Sequence, residues 1–402
     1  EVSGLVVGWV GQDSESPNIA RVTLLRCGLP ESSQAVTVQN NCISSLEAVA
    51  CAARRILCGE GEAYVAGGVE CMSRLPYSIA GSRAAKELRS LETVRSKWAE
   101  LPGSTSVSLV DSMEQGLTDP TESINMAATA EVCAQMYGIS RQAQDSYACE
   151  SFRRCLEAWK RDFYKVAVVP VSPREPGGLP LDKDEYPFLR EDLPAKPEKF
   201  AKAPALFDNS SYSIKDFYRN FGRHIEGRSF EEGKTRGTLT LFNSCGRSDG
   251  AAALVVASYE RAKSLGLPIL AELKGWGFCG NNPAHMGVSP ALAVPAALRN
   301  CGLRFEDLSQ IELHEPFAAT VLSIFALGRE RFGHDWEGKF KAGALNPNGG
   351  SISLGHPLGA TGARLLLNLL GALAENSGAR YGLATGCAGG GMGGAMILEK
   401  LS

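Results

Sequence analysis

Four side chains of this chain stand out for chemistry: Cys42, His314, His356 and Cys387. Cys42 lies in AVTVQNNCISSLEAVACAARRILCG, residues 35–59. Residues 36–38 alternate as a short buried strand, Asn40 and Asn41 make a polar turn, and apolar residues at 46, 49, 50, 53, 56 and 57 recur at helical spacing. The pattern predicts a thiol where a strand turns into a helix. There the unpaired N–H groups and the macrodipole favour an anion, so the expectation is a thiol that ionises more readily and is the better nucleophile. The alternative is a Cys that fills space, because free Cys is among the most buried residue types. His356 stands in NPNGGSISLGHPLGATGAR between glycines and just before Pro357, which suits the first turn of a helix and makes it a candidate for acid-base work. Cys387, in TGCAGGGMGG, is followed by glycines that can turn backbone N–H groups toward a developing oxyanion, or is a small apolar residue in a tight turn.

The elements that must position these groups follow from the rest of the chain. With 402 residues it exceeds one ordinary core, and 44% apolar content with 21% charge fits a globular protein. Lys plus Arg (41) nearly balances Asp plus Glu (44), a formal charge of -3 that provides no basic field for nucleic acid. No apolar run reaches the ~18 residues of a membrane span, and the first residues lack a signal peptide's basic flank. The twelve cysteines form no C-x-x-C pair, and Cys and His do not cluster at zinc-ligand spacings, so neither a metal nor a resident cofactor is expected. Reduced thiols point to an intracellular protein.

Strand, helix and strand follow one another over residues 5–10, 19–26, 36–38, the helix after Cys42, and 63–66, closed by Gly67 and Gly68. That order predicts a parallel sheet with crossover helices. From about residue 76 the chain becomes charged and Ser-rich, with a helical stretch at 127–163 and a Pro-rich run at 170–204, as expected of an inserted subdomain. Residues 208–236 are richer in polar and aromatic residues and are expected to form an exposed loop. The strand and helix order resumes at 253–257 and repeats in outline through 269–276, 290–300, 308–313, a helix to about 331, a helix to about 375, and 381–384. The expected boundaries are an α/β half at 1–75 and 237–262, an inserted domain at 76–236, and a second half at 263–402.

Taken together, NNCISSLEAVA, VAGGVECMS, GTLTLFNSCGRSDGAA, HEPF, NPNGGSISLGHPLGATGAR and CAGGGMGGAMILE resemble the thiolase family in order and spacing over nearly the whole chain. The resemblance implies the thiolase fold: two βαβαβαββ halves, each a five-stranded mixed sheet, in a five-layered αβαβα body with an inserted loop domain. It makes Cys42 the nucleophile that takes up the acyl group, His356 its activator and later that of coenzyme A, and Cys387 the group that exchanges a proton with the α-carbon. His314 takes the place of the residue that anchors a water, which with His356 makes one oxyanion hole; the N–H groups of Cys42 and Gly389 make the second. Met126, Ser244 and Cys245 fall in stretches that line the pantetheine channel in the family, or are ordinary packing residues.

The resemblance also implies coenzyme A and acyl-CoA as substrates, a homodimer through the sheet edge of the first half or a homotetramer through the loop domain, and in some members a hydratase-dehydrogenase partner chain. With His at 314 the chain is most similar to the β-subunit type of the trifunctional complexes, which cleaves 3-ketoacyl-CoA in fatty-acid β-oxidation. The alternatives are a biosynthetic acetoacetyl-CoA thiolase and a non-catalytic lipid carrier or scaffold. Three features depart from the family pattern: the initial strand with its R-T-P-F stretch is missing, Pro316 stands where Ala is usual, and segment 208–236 has no counterpart.

Overall fold

The computed structural model describes residues 2–80, 108–173 and 180–401. Residues 81–107 and 174–179, within the expected inserted domain, lie outside the described residues.

The first sheet is built from β1 (Gly4–Gly8), β2 (Gln34–Val38) and β3 (Ala63–Cys71), joined by α1 (Ile19–Arg26) and α2 (Ser44–Leu57). Both crossovers return a parallel strand, so β2 and β3 flank β1. β3 runs on through Gly67 and Gly68, where the sequence predicts the strand to close. A Cβ at Gly68 would collide with the carbonyl of Gly359, so these glycines serve close backbone approach within a strand.

The chain then leaves the sheet for α3 (Met126–Tyr137) and α4 (Arg141–Lys160), two helices where the sequence suggests one stretch. Gly138, left-handed at φ 65°, ends α3, and the Ser140 side chain caps α4. Residues 208–236, expected as an exposed loop, instead contain α5 (Ile214–Phe221). Its Ser213 and Asp216 form a reciprocal capping box, and Ile214 and Phe217 are buried against Ile124, Ala128 and Val132. The correction has a simple cause: three apolar residues at i, i+3 and i+7 suffice to bury one face of a short helix in an otherwise polar stretch.

β4 (Asp249–Ala257) rejoins the first sheet antiparallel to β3, giving the order β2-β1-β3-β4. The second half follows as β5 (Glu272–Gly280), α6 (Ser289–Cys301), β6 (Leu308–Leu313), α7 (Ala318–Phe332), α8 (Thr361–Glu375), β7 (Tyr381–Ala388) and β8 (Met392–Glu399). Its sheet has the order β6-β7-β8-β5. A parallel bridge between Ile311 and Leu345 stands beside β6 where β2 stands beside β1, which relates the two halves strand by strand. Against five strands per sheet, four are described in each: the second keeps only the bridge at one position, and the first has no described strand outside β4 where β5 flanks β8.

α2 and α8 pack on one another and on both sheets, α1 covers the outer face of the first sheet and α6 that of the second, which makes five layers. Leu46, Val49 and Ala50 of α2 meet Leu365, Leu366, Leu369 and Leu373 of α8 in one buried cluster. Each fully buried leucine contributes roughly 1.5–3 kcal/mol. Alanines at 48, 50 and 52 keep the central layer thin, and a Cβ at Gly362 would press on the backbone of Leu46 at 2.6 Å. The Ala363 N–H donates to Ser45 Oγ at 2.8 Å, so the helix following Cys42 and the helix following His356 start against each other. Among the described residues no helix is long and apolar enough to cross a membrane.

Candidate active site

Cys42 sits in the tight turn between β2 and α2. Asn41 adopts φ 45°, Ile43 N–H donates to Asn40 O at 3.2 Å and Ser44 N–H to Asn41 O at 3.0 Å. Ser44 Oγ locks the turn by accepting from Asn40 N–H at 2.8 Å and donating to Asn41 O. Cys42 is partly exposed as a residue, and the backbone N–H groups of Gly389 and of Cys42 itself point at its sulfur. Gly389 is held there by its carbonyl, which accepts from Asn41 Nδ2 at 2.8 Å, and by the sulfur of Met126 behind it.

His356 lies in the loop ahead of α8 and not in a helix's first turn, because Gly355 takes φ 92° and Pro357 is extended. The His356 N–H donates to Gly246 O at 2.9 Å. This loop is tied to the first half by Glu70, a buried carboxylate at the end of β3. Glu70 accepts from Val10 N–H, Gly11 N–H and Gly359 N–H at 3.2, 3.0 and 3.0 Å. His314 follows β6, with its N–H bonded to Thr385 O at 2.9 Å. Pro316 stands two residues ahead of α7 and its carbonyl accepts from Cys245 N–H at 2.9 Å, so the proline costs the helix nothing.

The fold thus brings together residues more than 300 apart in sequence. Cys42 Sγ and one ring nitrogen each of His314 and His356 lie within 4.8 Å of one another, and the two imidazoles are 4.2 Å apart between centroids. Cys387, buried on β7, has a thiol that feels those of Cys42, Cys133 and Cys245. Met126 reaches the site through Gly389. The Cys245 thiol feels that of Cys42, and the hydroxyl of Ser244 is donated within its own loop to Thr240 O at 2.6 Å.

Hydrogen bonds give the two histidines opposite roles. Thr361 Oγ1 donates to Pro357 O at 2.9 Å, so its 2.7 Å contact with His356 Nδ1 has the ring donating and Nε2 left as a bare acceptor. Ser351 Oγ accepts from Arg364 Nη2 at 2.7 Å, and its proton has His314 Nδ1 at 2.8 Å to go to, which makes His314 Nε2–H a donor. Neither Nε2 has a partner of its own, and both histidines are buried. One imidazole is built to take a proton and the other to stabilise negative charge.

Electrostatics correct the expectation of a readily ionised thiol. Burial pushes the Cys42 thiol up to about 11, and the two amides that point at the sulfur only partly offset it. Burial, with Arg364 nearby, lowers His356 to about 3, and burial with His356 and Arg364 holds His314 well below its usual range. Burial, then the Cys42 thiol, keeps Cys387 well above its own. The resting pair is therefore neutral thiol and neutral imidazole. The local helix-terminus effect loses to tertiary desolvation.

The reactivity of Cys42 toward iodoacetamide should then climb about tenfold per pH unit through the neutral and mildly alkaline range, since a thiol below its pKa gains thiolate in that proportion. The check is peptide mapping of alkylation rates from pH 6 to 9. A rate for Cys42 that levels off below pH 8 would reveal a resident thiolate-imidazolium pair instead.

Family models match both halves: the thiolase N-terminal domain over residues 1–210 and the thiolase C-terminal domain over residues 267–400. The chain belongs to the thiolase family. It is 35% identical over 402 residues to the acetyl-CoA acetyltransferase of Chromobacterium violaceum, covering 100% of this chain and 88% of that protein. It is 33% identical to a probable acetyl-CoA acyltransferase of Staphylococcus aureus, with coverage of 100% and 88%. Among solved structures, the Bacillus anthracis acetyl-CoA acetyltransferase matches with TM-score 0.81 at 30% identity, and human mitochondrial 3-ketoacyl-CoA thiolase with TM-score 0.81 at 28%. Both matches cover 100% of this chain and 88% of the other.

This thiolase is an acyltransferase, and residues 211–266, which include α5, fall between the two family models. Sequence reading passed over Ser351, Thr361 and Arg364, and took Asn41 only as part of a polar turn. Thr361 had a local signal: five residues after His356 and four after Pro357, it can bond both once the chain turns helical. Ser351 and Arg364 had none, because what they orient lies on another strand.

Proposed function

We propose that this thiolase cleaves 3-ketoacyl-CoA with coenzyme A, giving acetyl-CoA and a shortened acyl-CoA. The supporting observation is the pairing of the Cys42 thiol with a bare imidazole acceptor, an amide pair and a second buried thiol. His356 Nε2 takes the Cys42 proton as the sulfur attacks the keto carbon, and the Gly389 and Cys42 N–H groups hold the alkoxide. The C2–C3 bond then breaks. The departing thioester enolate is stabilised by the N–H of the now protonated His356 and by a water that the His314 N–H holds, and it takes a proton on carbon from Cys387. The His356 proton restores Cys387. His356 next accepts the proton of the incoming coenzyme A thiol and passes it to Cys42 as the acyl group leaves.

Coenzyme A and acyl-CoA act as substrates, and no resident cofactor is required. All twelve cysteines are free, which suits a reducing compartment: cytoplasm in a bacterium, mitochondrion or peroxisome in a eukaryote. Among the described residues β2 is the edge strand of its sheet, beside the Cys42 turn, and pairing with a second copy would cover that edge. Sedimentation should accordingly give a species heavier than 42.8 kDa at micromolar concentration, and a purely monomeric profile would refute the dimer. A second reading, condensation of two acetyl-CoA, draws support from the relatives named acetyl-CoA acetyltransferase. Steady-state cleavage rates across 3-ketoacyl-CoA chain lengths decide between them. Cleavage confined to acetoacetyl-CoA would favour the second reading, and no cleavage at any length would sink both.

A further inference from the structure

We propose that Cys42, His314 and His356 together form a capture site for a thiophilic divalent cation of the Zn2+ class, which blocks the nucleophile reversibly. The three residues each offer one ligand atom, all within 4.8 Å of one another. A tetrahedral zinc ion with bonds of about 2.0–2.3 Å needs ligand atoms roughly 3.3–3.7 Å apart, so small side-chain rotations close the site. Both Nε2 atoms are buried without a hydrogen-bond partner, His314 at 1% and His356 at 6% exposure. Cys42 is partly exposed, so the ion enters from its side and keeps a fourth position open to water.

The groups behind the histidines are those that steady metal ligands. His356 Nδ1 is held by Thr361 and His314 Nδ1 by Ser351, which Arg364 holds in turn. His356 already presents the lone pair that a metal needs. His314 must move its proton from Nε2 to Nδ1, where Ser351 Oγ can accept it on its second lone pair. Cys42 must release its proton to solvent, so binding yields one proton per ion. Two neutral imidazoles and a thiolate select soft or borderline ions over Mg2+ and Ca2+. The cation of Arg364, held against Ser351, opposes binding from behind His314. The site needs an imidazole at 314, since an amide side chain there is a poor ligand for such ions.

The site itself rests on geometry alone; its inhibitory consequence rests on the cleavage reaction proposed above. The experiment is an anaerobic Co2+ titration of the reduced full chain, with Co2+ as the spectroscopic stand-in for Zn2+. One equivalent should raise a thiolate-to-cobalt charge-transfer band with the visible bands of tetrahedral cobalt, release one proton, and be displaced by Zn2+. Cys42→Ser and His314→Asn, with circular dichroism spectra matching the parent, should not form the band. Zn2+ should also slow iodoacetamide labelling of Cys42 by at least about tenfold in the unaltered protein, a readout that depends on no variant. Absence of the band, its survival in either folded variant, or unchanged labelling of Cys42 overturns the proposal. A protein that gives the band but cleaves no ketoacyl-CoA retains the site and loses only the function.

Discussion

Replacing Cys387 by alanine will leave a protein that still takes an acetyl group from acetyl-CoA onto Cys42, while carbon-carbon cleavage falls on the order of 10³-fold or more. The two thiols occupy different chemical positions. Cys42 is partly exposed, has two N–H groups aimed at its sulfur and lies beside an imidazole acceptor, which is what thioester exchange requires. Cys387 is buried, and burial together with the neighbouring Cys42 holds its proton far above the usual thiol range. A thiol so placed is a poor nucleophile at rest and a group that remains protonated until an enolate forms beside it. Cys42→Ala should lose both half-reactions, because no acyl-enzyme can form. Mass spectrometry of each variant after incubation with acetyl-CoA, run with the cleavage assay, separates the roles. An acetyl adduct on Cys387 in the unaltered protein, or normal cleavage by Cys387→Ala, would reverse the assignment.

Much of this arrangement was legible in the sequence where the signal is local. The strand, turn and helix around Cys42 follow from apolar spacing, and α1, β6 and α8 fall where periodicity and terminal glycines or charges put them. What escaped is tertiary in origin. The strand at 63–66 reads as closed by Gly67 and Gly68, yet it runs on to Cys71; the missing side chains admit the backbone of Ala252 on β4 at Gly67 and the Gly359 loop from the other half of the molecule at Gly68. The Cys42 thiol looked activated because helix termini are visible in a sequence, whereas the burial that outweighs them is not. The opposite tautomers of His314 and His356 depend on Ser351, Arg364 and Thr361. Of these only Thr361 is close enough in sequence to its histidine to be found by spacing.

Glu315→Ala should be the most damaging substitution among the residues that touch no reacting atom. The side chain is fully buried and accepts from Tyr147 Oη and Ser151 Oγ at 2.7 Å each, Asn346 Nδ2 at 2.6 Å and Ile352 N–H at 3.4 Å. Tyr147 and Ser151 belong to α4, while Asn346 and Ile352 flank the loop that carries Ser351. Glu315 therefore joins α4 to the segment that orients His314, its own neighbour in sequence. Removing it orphans several buried donors at about 1–3 kcal/mol each, less than additively because they share one acceptor. A loss of roughly 3–5 kcal/mol is expected, a large part of the 5–15 kcal/mol typical of a native protein. Urea unfolding measures it, and turnover should fall with it because Ser351 loses its placement. Adding Tyr147→Phe removes one of the orphaned donors, so the double variant should regain part of the stability without regaining turnover. If Glu315→Ala unfolds at the parent's urea midpoint, the four donors find other partners and the carboxylate is not what positions the His314 loop.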